Sequence, residues 1–162
     1  MKKFFLAAVL VCGLVFGVSA SEPFTMNIDG QKFTITIEQI KPIWKQNMQQ
    51  SINQMNASCP QTLTENAVIT SYQFKGDDLI ANIRMDFPSS YFTEEAKATI
   101  RKQSADVLLE GFKEGMFKGD TSMMPESEWL RFFKELRMRI VVNIYSSDNQ
   151  FVTSVSFDTS DL

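Results

Sequence analysis

The apolar residues of this chain alternate with polar ones, then recur at helical spacing, then alternate again, and the switch repeats towards the C-terminus. Alternation divides side chains between the two faces of a strand, whereas spacings of three and four gather them on one stripe of a helix. The chain is therefore confined to mixed α and β structure. Phe33, Ile35 and Ile37 alternate after the turn signal Asp29-Gly30, which predicts an N-terminal hairpin over residues 24–37. From Ile40 the period lengthens. Ile40, Ile43, Trp44, Met48, Ile52 and Met55 draw one stripe along a helix, with Pro42 expected in its first turn and its end expected before Cys59-Pro60.

Val68, Thr70, Tyr72 and Phe74, then Leu79, Ala81, Ile83, Met85 and Phe87, form two alternating runs around Lys75-Gly76-Asp77-Asp78. They predict a second hairpin with one buried face. Thr93 followed by Glu94 and Glu95 supplies a capping hydroxyl and acids at the positive end of a helix, whose apolar side is expected at Ile100, Val107, Leu108 and Phe112. Three glycines, Gly111, Gly115 and Gly119, follow at four-residue spacing. Carrying a helix through all of them would cost roughly 3 kcal/mol relative to alanine, so the helix is expected to fray or end there; a close helix contact is the alternative. A shorter helix is expected after Pro125, around Trp129, Leu130, Phe132, Phe133 and Leu136. Met138, Ile140, Val142 and Ile144, then Phe151, Thr153, Val155 and Phe157, predict a third hairpin around Ser147-Asp148-Asn149. The order ββ-α-ββ-α-α-ββ favours an α+β fold in which antiparallel β-hairpins form a sheet packed against two main helices.

Residues 1–20 read as a signal peptide. Met1-Lys2-Lys3 is basic, Phe4 to Val18 carries no charge, and Val18-Ser19-Ala20 ends in small residues, so cleavage is expected after Ala20. The uncharged run is shorter than the roughly 20 residues a spanning helix needs, and no transmembrane segment is expected in the mature chain. Residues 21–162 then form one domain, exported to the periplasm, the cell surface or the medium. Cleavage takes Lys2 and Lys3 from the 16 basic residues and none of the 19 acidic ones, leaving 14 against 19, a net charge of −5. An acidic balance argues against nucleic-acid binding, which needs a basic surface to displace counterions. Cys59 is then the single cysteine. It can close no internal disulfide, so it is expected to be structural, and stability must come from a core to which the 11 phenylalanines beyond residue 20 contribute.

The chain has no histidine. Ser-His-Asp and Cys-His catalysis are thereby excluded within it, as are the common zinc sites, and no cofactor or metal is expected. No serine has a lysine three residues on, which removes the Ser-Lys route; Ser147-Asp148-Asn149 without companion motifs is a turn. Asp86, Glu94 and Glu95 are the one candidate carboxylate set for a histidine-free hydrolase, and solvated charges and helix-end acids account for them better. Arg131, Lys134, Arg137 and Arg139 face one acid, Glu135, in that interval, and form a candidate basic ridge for an anionic partner. Trp44, Phe87, Phe112 and Trp129 are the candidate lining of a pocket between sheet and helices. Asn56-Ala57-Ser58 fits the glycosylation pattern. The leading expectation is a non-catalytic interaction module that binds a protein or a cell-envelope component through a sheet face or helix surface, with a homodimer open. A carrier of small apolar ligands is the alternative.

Overall fold

The computed structural model describes residues 22–117 and 124–162, with the backbone alone for residues 112–117. The expected signal peptide therefore lies outside the described residues, as do Gly119, Met123 and the side chains of Phe112 and Met116. Among the described residues the fold is α+β, with three α-helices and two sheets. Strands β1 (Phe24–Ile28) and β2 (Gln31–Ile35) pair antiparallel across Asp29-Gly30, where Gly30 takes φ 84°, a conformation glycine reaches without a steric penalty. Helix α1 (Ile37–Ala57) follows at once. Thr36 is its N-cap and its amide donates to Gln39 Oε1 at 2.9 Å, so Ile37 starts the helix rather than extending the strand. In consequence Pro42 sits in the second turn, not the first as expected, and its missing N–H removes one helical bond.

A five-stranded sheet follows in the order β3-β4-β5-β6-β7, built from β3 (Gln61–Thr64), β4 (Ala67–Lys75), β5 (Asp78–Met85), β6 (Arg139–Tyr145) and β7 (Phe151–Asp158). The two further helices are α2 (Glu94–Phe117) and α3 (Glu126–Leu136). Three particulars differ from the sequence reading. The first hairpin stays out of the main sheet as a ribbon of its own, and β3, with no apolar alternation, was not foreseen. The third is direction: β5 and β6 pair parallel, because the chain between them crosses over through α2 and α3 and returns in the same sense.

Each hairpin of the main sheet carries a register shift that changes which residues share a face. On β4, Ile69 pairs with Ile83 but Ser71 with Asn82, so Thr70 is the extra residue. Ala67 and Ile69 therefore join Ile83 and Met85, while Val68 moves to the opposite face with Arg84, against the expectation that it shares a face with Tyr72 and Phe74. On β7, Thr153 pairs with Ile144 and Phe151 with Tyr145; Phe151 is thereby turned away from the core and is 58% exposed.

One face of the sheet is apolar: Phe74, Leu79, Ala81, Ile83, Ile140, Val142, Ile144 and Phe157 pack there against Ile100, Leu108 and Leu109 of α2 and Trp44 of α1. Val107, expected on this side of α2, is 70% exposed. A second cluster at the end of the sheet joins the β1-β2 ribbon to α1 and α3 through Phe24, Met26, Ile40, Phe132 and Leu136. Thr159, fully buried, ties it to the C-terminus: its hydroxyl donates to Phe133 O at 2.7 Å and accepts from Met138 N at 2.9 Å. Helix α2 starts at the expected cap, with Ala96 N donating to Thr93 Oγ1 at 3.2 Å, and runs through Gly111 and Gly115. Nothing stands within 4 Å of where a Cβ would lie at Gly111, so that glycine marks no close contact among the described residues.

Helix α1 ends before Cys59-Pro60 as expected, and its last turn holds the edge of β4. Asn56 donates from Nδ2 to Tyr72 O at 2.8 Å and accepts at Oδ1 from Tyr72 N at 2.7 Å, pairing a strand edge that β3 is too short to reach. The amide of the glycosylation pattern is thus engaged in the fold. Cys59 is half-buried and free, with Sγ 3.5 Å from Met55 O.

Candidate binding groove on the second sheet face

Opposite the apolar face, the off-phase residues of the same alternations form a second face. Register places Ser71 beside Asn82, Asn82 beside Asn143, Arg84 beside Tyr145 and Asn143 beside Ser154. These residues join none of the apolar clusters. A chain of side-chain amides crosses the strands: Asn143 Nδ2 donates to Asn82 Oδ1 at 3.0 Å, and Asn82 Nδ2 donates to Ser71 Oγ at 2.9 Å. Thr70, displaced by the bulge, donates its hydroxyl to Asn82 O at 3.1 Å. Asn82 is 9% exposed, and both ends of its amide are held, so its orientation is fixed.

An open groove of about 390 Å³ lies over this face, lined by Thr70, Ser71, Asn82, Arg84, Tyr145 and Asn149. Its volume is that of a small-ligand site, roughly 300–1,000 Å³. None of the lining residues is acidic, and Arg84 has no ion pair among the described residues. Asn149 reaches the rim from the β6-β7 turn with φ 59°. That turn is pinned to the Ser89–Tyr91 turn. Asp148 accepts from Ser89 N at 3.0 Å and Ser89 Oγ at 2.7 Å, and Ser147 N donates to Phe87 O at 2.9 Å. The hydroxyls of Ser146 and Ser89, with the Ser89 amide, lower the Asp148 pKa from 3.8 to about 2. A carboxylate with a lowered pKa lends its stability above the ordinary value and loses it as pH falls through the lowered one. The rim is therefore expected to hold in mild acid. An NMR titration should place the Asp148 midpoint at about 2; an ordinary midpoint near 3.8 would show that the rim contacts do not form.

The residues singled out by sequence fall elsewhere. Trp44 lies edge-on to Phe74 at 5.8 Å, and Trp129 lies 5.8 Å from Phe132 and 6.0 Å from Phe133, so both tryptophans pack, half-buried, against the core. Phe87 stands apart at the sheet end, 37% exposed and 6.1 Å from Tyr91. The basic ridge is not one surface. Arg131 folds back on the N-terminus, donating to the carbonyls of Glu22 and Pro23 at 3.1 and 3.0 Å, pairing with Glu128 at 2.6 Å, and lying 4.1 Å from the Phe24 ring centre. Arg139 grips Asp78 through two bonds. Arg137, expected on the strand with Arg139, is instead the left-handed C-cap of α3 at φ 51°. Lys134 is exposed. Of the candidate acids, Glu94 is paired with Lys97 at 2.8 Å, and the hydrogen bond from Lys97 lowers its pKa. Among the described residues no group of three or more His, Cys, Asp and Glu is placed to hold a metal ion. No described helix is long and apolar enough to cross a membrane.

Sequence reasoning missed the groove, although a signal was present. Asparagine is depleted in strands, yet Asn82 and Asn143 stand in mid-strand at off-phase positions.

No protein-family model and no curated protein matches the chain. Among solved structures it is similar to a provisionally named secreted protein from Pseudomonas aeruginosa, with 15% sequence identity and a TM-score of 0.44, covering 75% of this chain and 95% of that one.

Proposed function

We propose that the protein is an exported, non-catalytic binding module that engages a component of the cell envelope through the second face of its main sheet. The observation that carries this reading is the asymmetry of the sheet. One face is packed under helices, while the other presents amides, hydroxyls and an arginine with no ion pair among the described residues, around a groove of small-ligand size. Export rests on the basic, apolar and small-residue order of residues 1–20, and the non-catalytic assignment on the lack of any histidine in the sequence.

Site-specific photocrosslinking tests the reading. A photoreactive side chain at Gln73 or Ser156, both exposed on the second face, should crosslink to envelope material of the native host. The same group at Lys102, exposed on α2, should not. Crosslinks from Lys102 alone would overturn the proposal.

A further inference from the structure

At the Arg84 end of the groove, donors outnumber acceptors. The Ser71 hydroxyl already accepts from Asn82, so its own proton is left to donate outward. The Tyr145 hydroxyl has no hydrogen-bond partner among the described residues. Arg84, its register neighbour, contributes up to five N–H donors and a fixed positive charge. All three line the groove, and no carboxylate lines it with them.

Two acids on this side of the molecule are engaged elsewhere. Asp148, nearest along the rim to Asn149, is bound to Ser89, and Asp78, further along β5, is bound to Arg139. Arg84 itself lines the groove with no ion pair among the described residues, in a chain whose expected mature charge is −5. Beside it Tyr145 meets Phe151 edge-to-face at 5.8 Å and 74°, and Phe151 is largely exposed, so the charged end of the groove has a flat apolar flank.

We infer that the groove is a binding site for a small polar ligand bearing an oxyanion, carboxylate or phosphate, which Arg84 holds with help from the Ser71 and Tyr145 hydroxyls. An oxyanion is an acceptor-only group and fits an arginine flanked by two hydroxyls that can turn their protons to it; a guanidinium matches either oxyanion with two parallel bonds. Asn149, which offers both donor and acceptor at the rim, suits a hydroxyl on the body of the ligand, and the Tyr145–Phe151 flank suits its ring. The inference rests on the reading of the second face as the binding surface, and adds the chemistry of what binds there.

Three ligands that share one sugar ring separate the outcomes: glucuronate, glucose 6-phosphate and glucose, each titrated calorimetrically into the protein. Glucuronate, glucose 6-phosphate or both should bind at least tenfold more tightly than neutral glucose, and the tighter of the two identifies the anion. Arg84→Gln should lose that tenfold preference, whereas Arg139→Gln, which breaks an ion pair elsewhere on the same face, should keep it. Added salt should weaken binding by the unaltered protein, since an exposed charge pair is screened. Equal binding of all three ligands, no binding of any, or binding indifferent to Arg84→Gln would overturn the inference. If crosslinking from Gln73 and Ser156 succeeds while the titrations fail, the oxyanion assignment falls and the second face remains the binding surface. If the titrations succeed and the crosslinks do not, the envelope partner is what falls.

Discussion

Phe132→Ala is expected to destabilise the fold by about 3–5 kcal/mol, the range for deleting a buried aromatic ring. The ring is 1% exposed and meets Phe24 at 5.7 Å, Trp129 at 5.8 Å and Phe133 at 5.4 Å, all near edge-on. These contacts join α3 to the β1-β2 ribbon. A two-stranded ribbon is marginal in water by itself, so the ribbon depends on this cluster for its place. A domain of ordinary stability, about 5–15 kcal/mol, would lose a large fraction of its margin. Urea unfolding should show a lower midpoint with an unchanged slope. A loss below about 1 kcal/mol would mean that the ring is not the bolt between ribbon and helix.

Arg131→Ala is the second large effect, at about 2 kcal/mol. The variant loses two bonds to backbone carbonyls, the ion pair with Glu128 and the contact with the Phe24 ring. Breaking a fully buried ion pair costs about 3–5 kcal/mol; the Arg131 side chain is 26% exposed, and water recovers part of that. The change also uncovers Glu135, 3.8 Å from Arg131, whose pKa is already raised by burial and by Glu38, Glu128 and Glu22. Arg131 opposes that rise, so the pKa should climb further in the variant. An acid with a raised folded-state pKa binds more protons folded than unfolded, so stability falls as pH rises through its range. The deficit of Arg131→Ala should therefore be larger at neutral pH than near pH ~5, where carboxylates begin to take up protons. Lys134→Ala, by contrast, should shift stability by no more than about 0.5 kcal/mol. Equal small effects at both positions would restore the two residues to a common solvated ridge.

The contrast between Arg131 and Lys134 shows where sequence reading stops. Helical spacing places both on α3, but nothing local tells that one guanidinium turns to the carbonyls of Glu22 and Pro23, which are distant in sequence. The helices themselves were legible, because Ile40, Ile43 and Ile52 or Phe132 and Leu136 must share a buried stripe and do. Strand alternation was legible for β5 and β6, where period two is unbroken. It misled wherever a bulge intervened, at Thr70 and at Val152, because one extra residue exchanges the faces on either side of it. Strand direction was beyond reach, since alternation is the same in parallel and antiparallel pairs. The short edge strand Gln61–Thr64 was silent because it buries little. The groove was half visible: Asn82 and Asn143 could be seen as misplaced in strands, but that they meet across a parallel pair follows only from the crossover.

The second sheet face as the binding surface is tested most directly by a residue-resolved NMR titration of the protein with glucuronate and with glucose 6-phosphate. The account predicts that the shifts concentrate at Ser71, Asn82, Arg84, Tyr145 and Asn149. Shifts concentrated instead at Trp44, Leu108 and Phe157, between sheet and helices, would contradict it and favour a carrier whose pocket opens within the apolar layer.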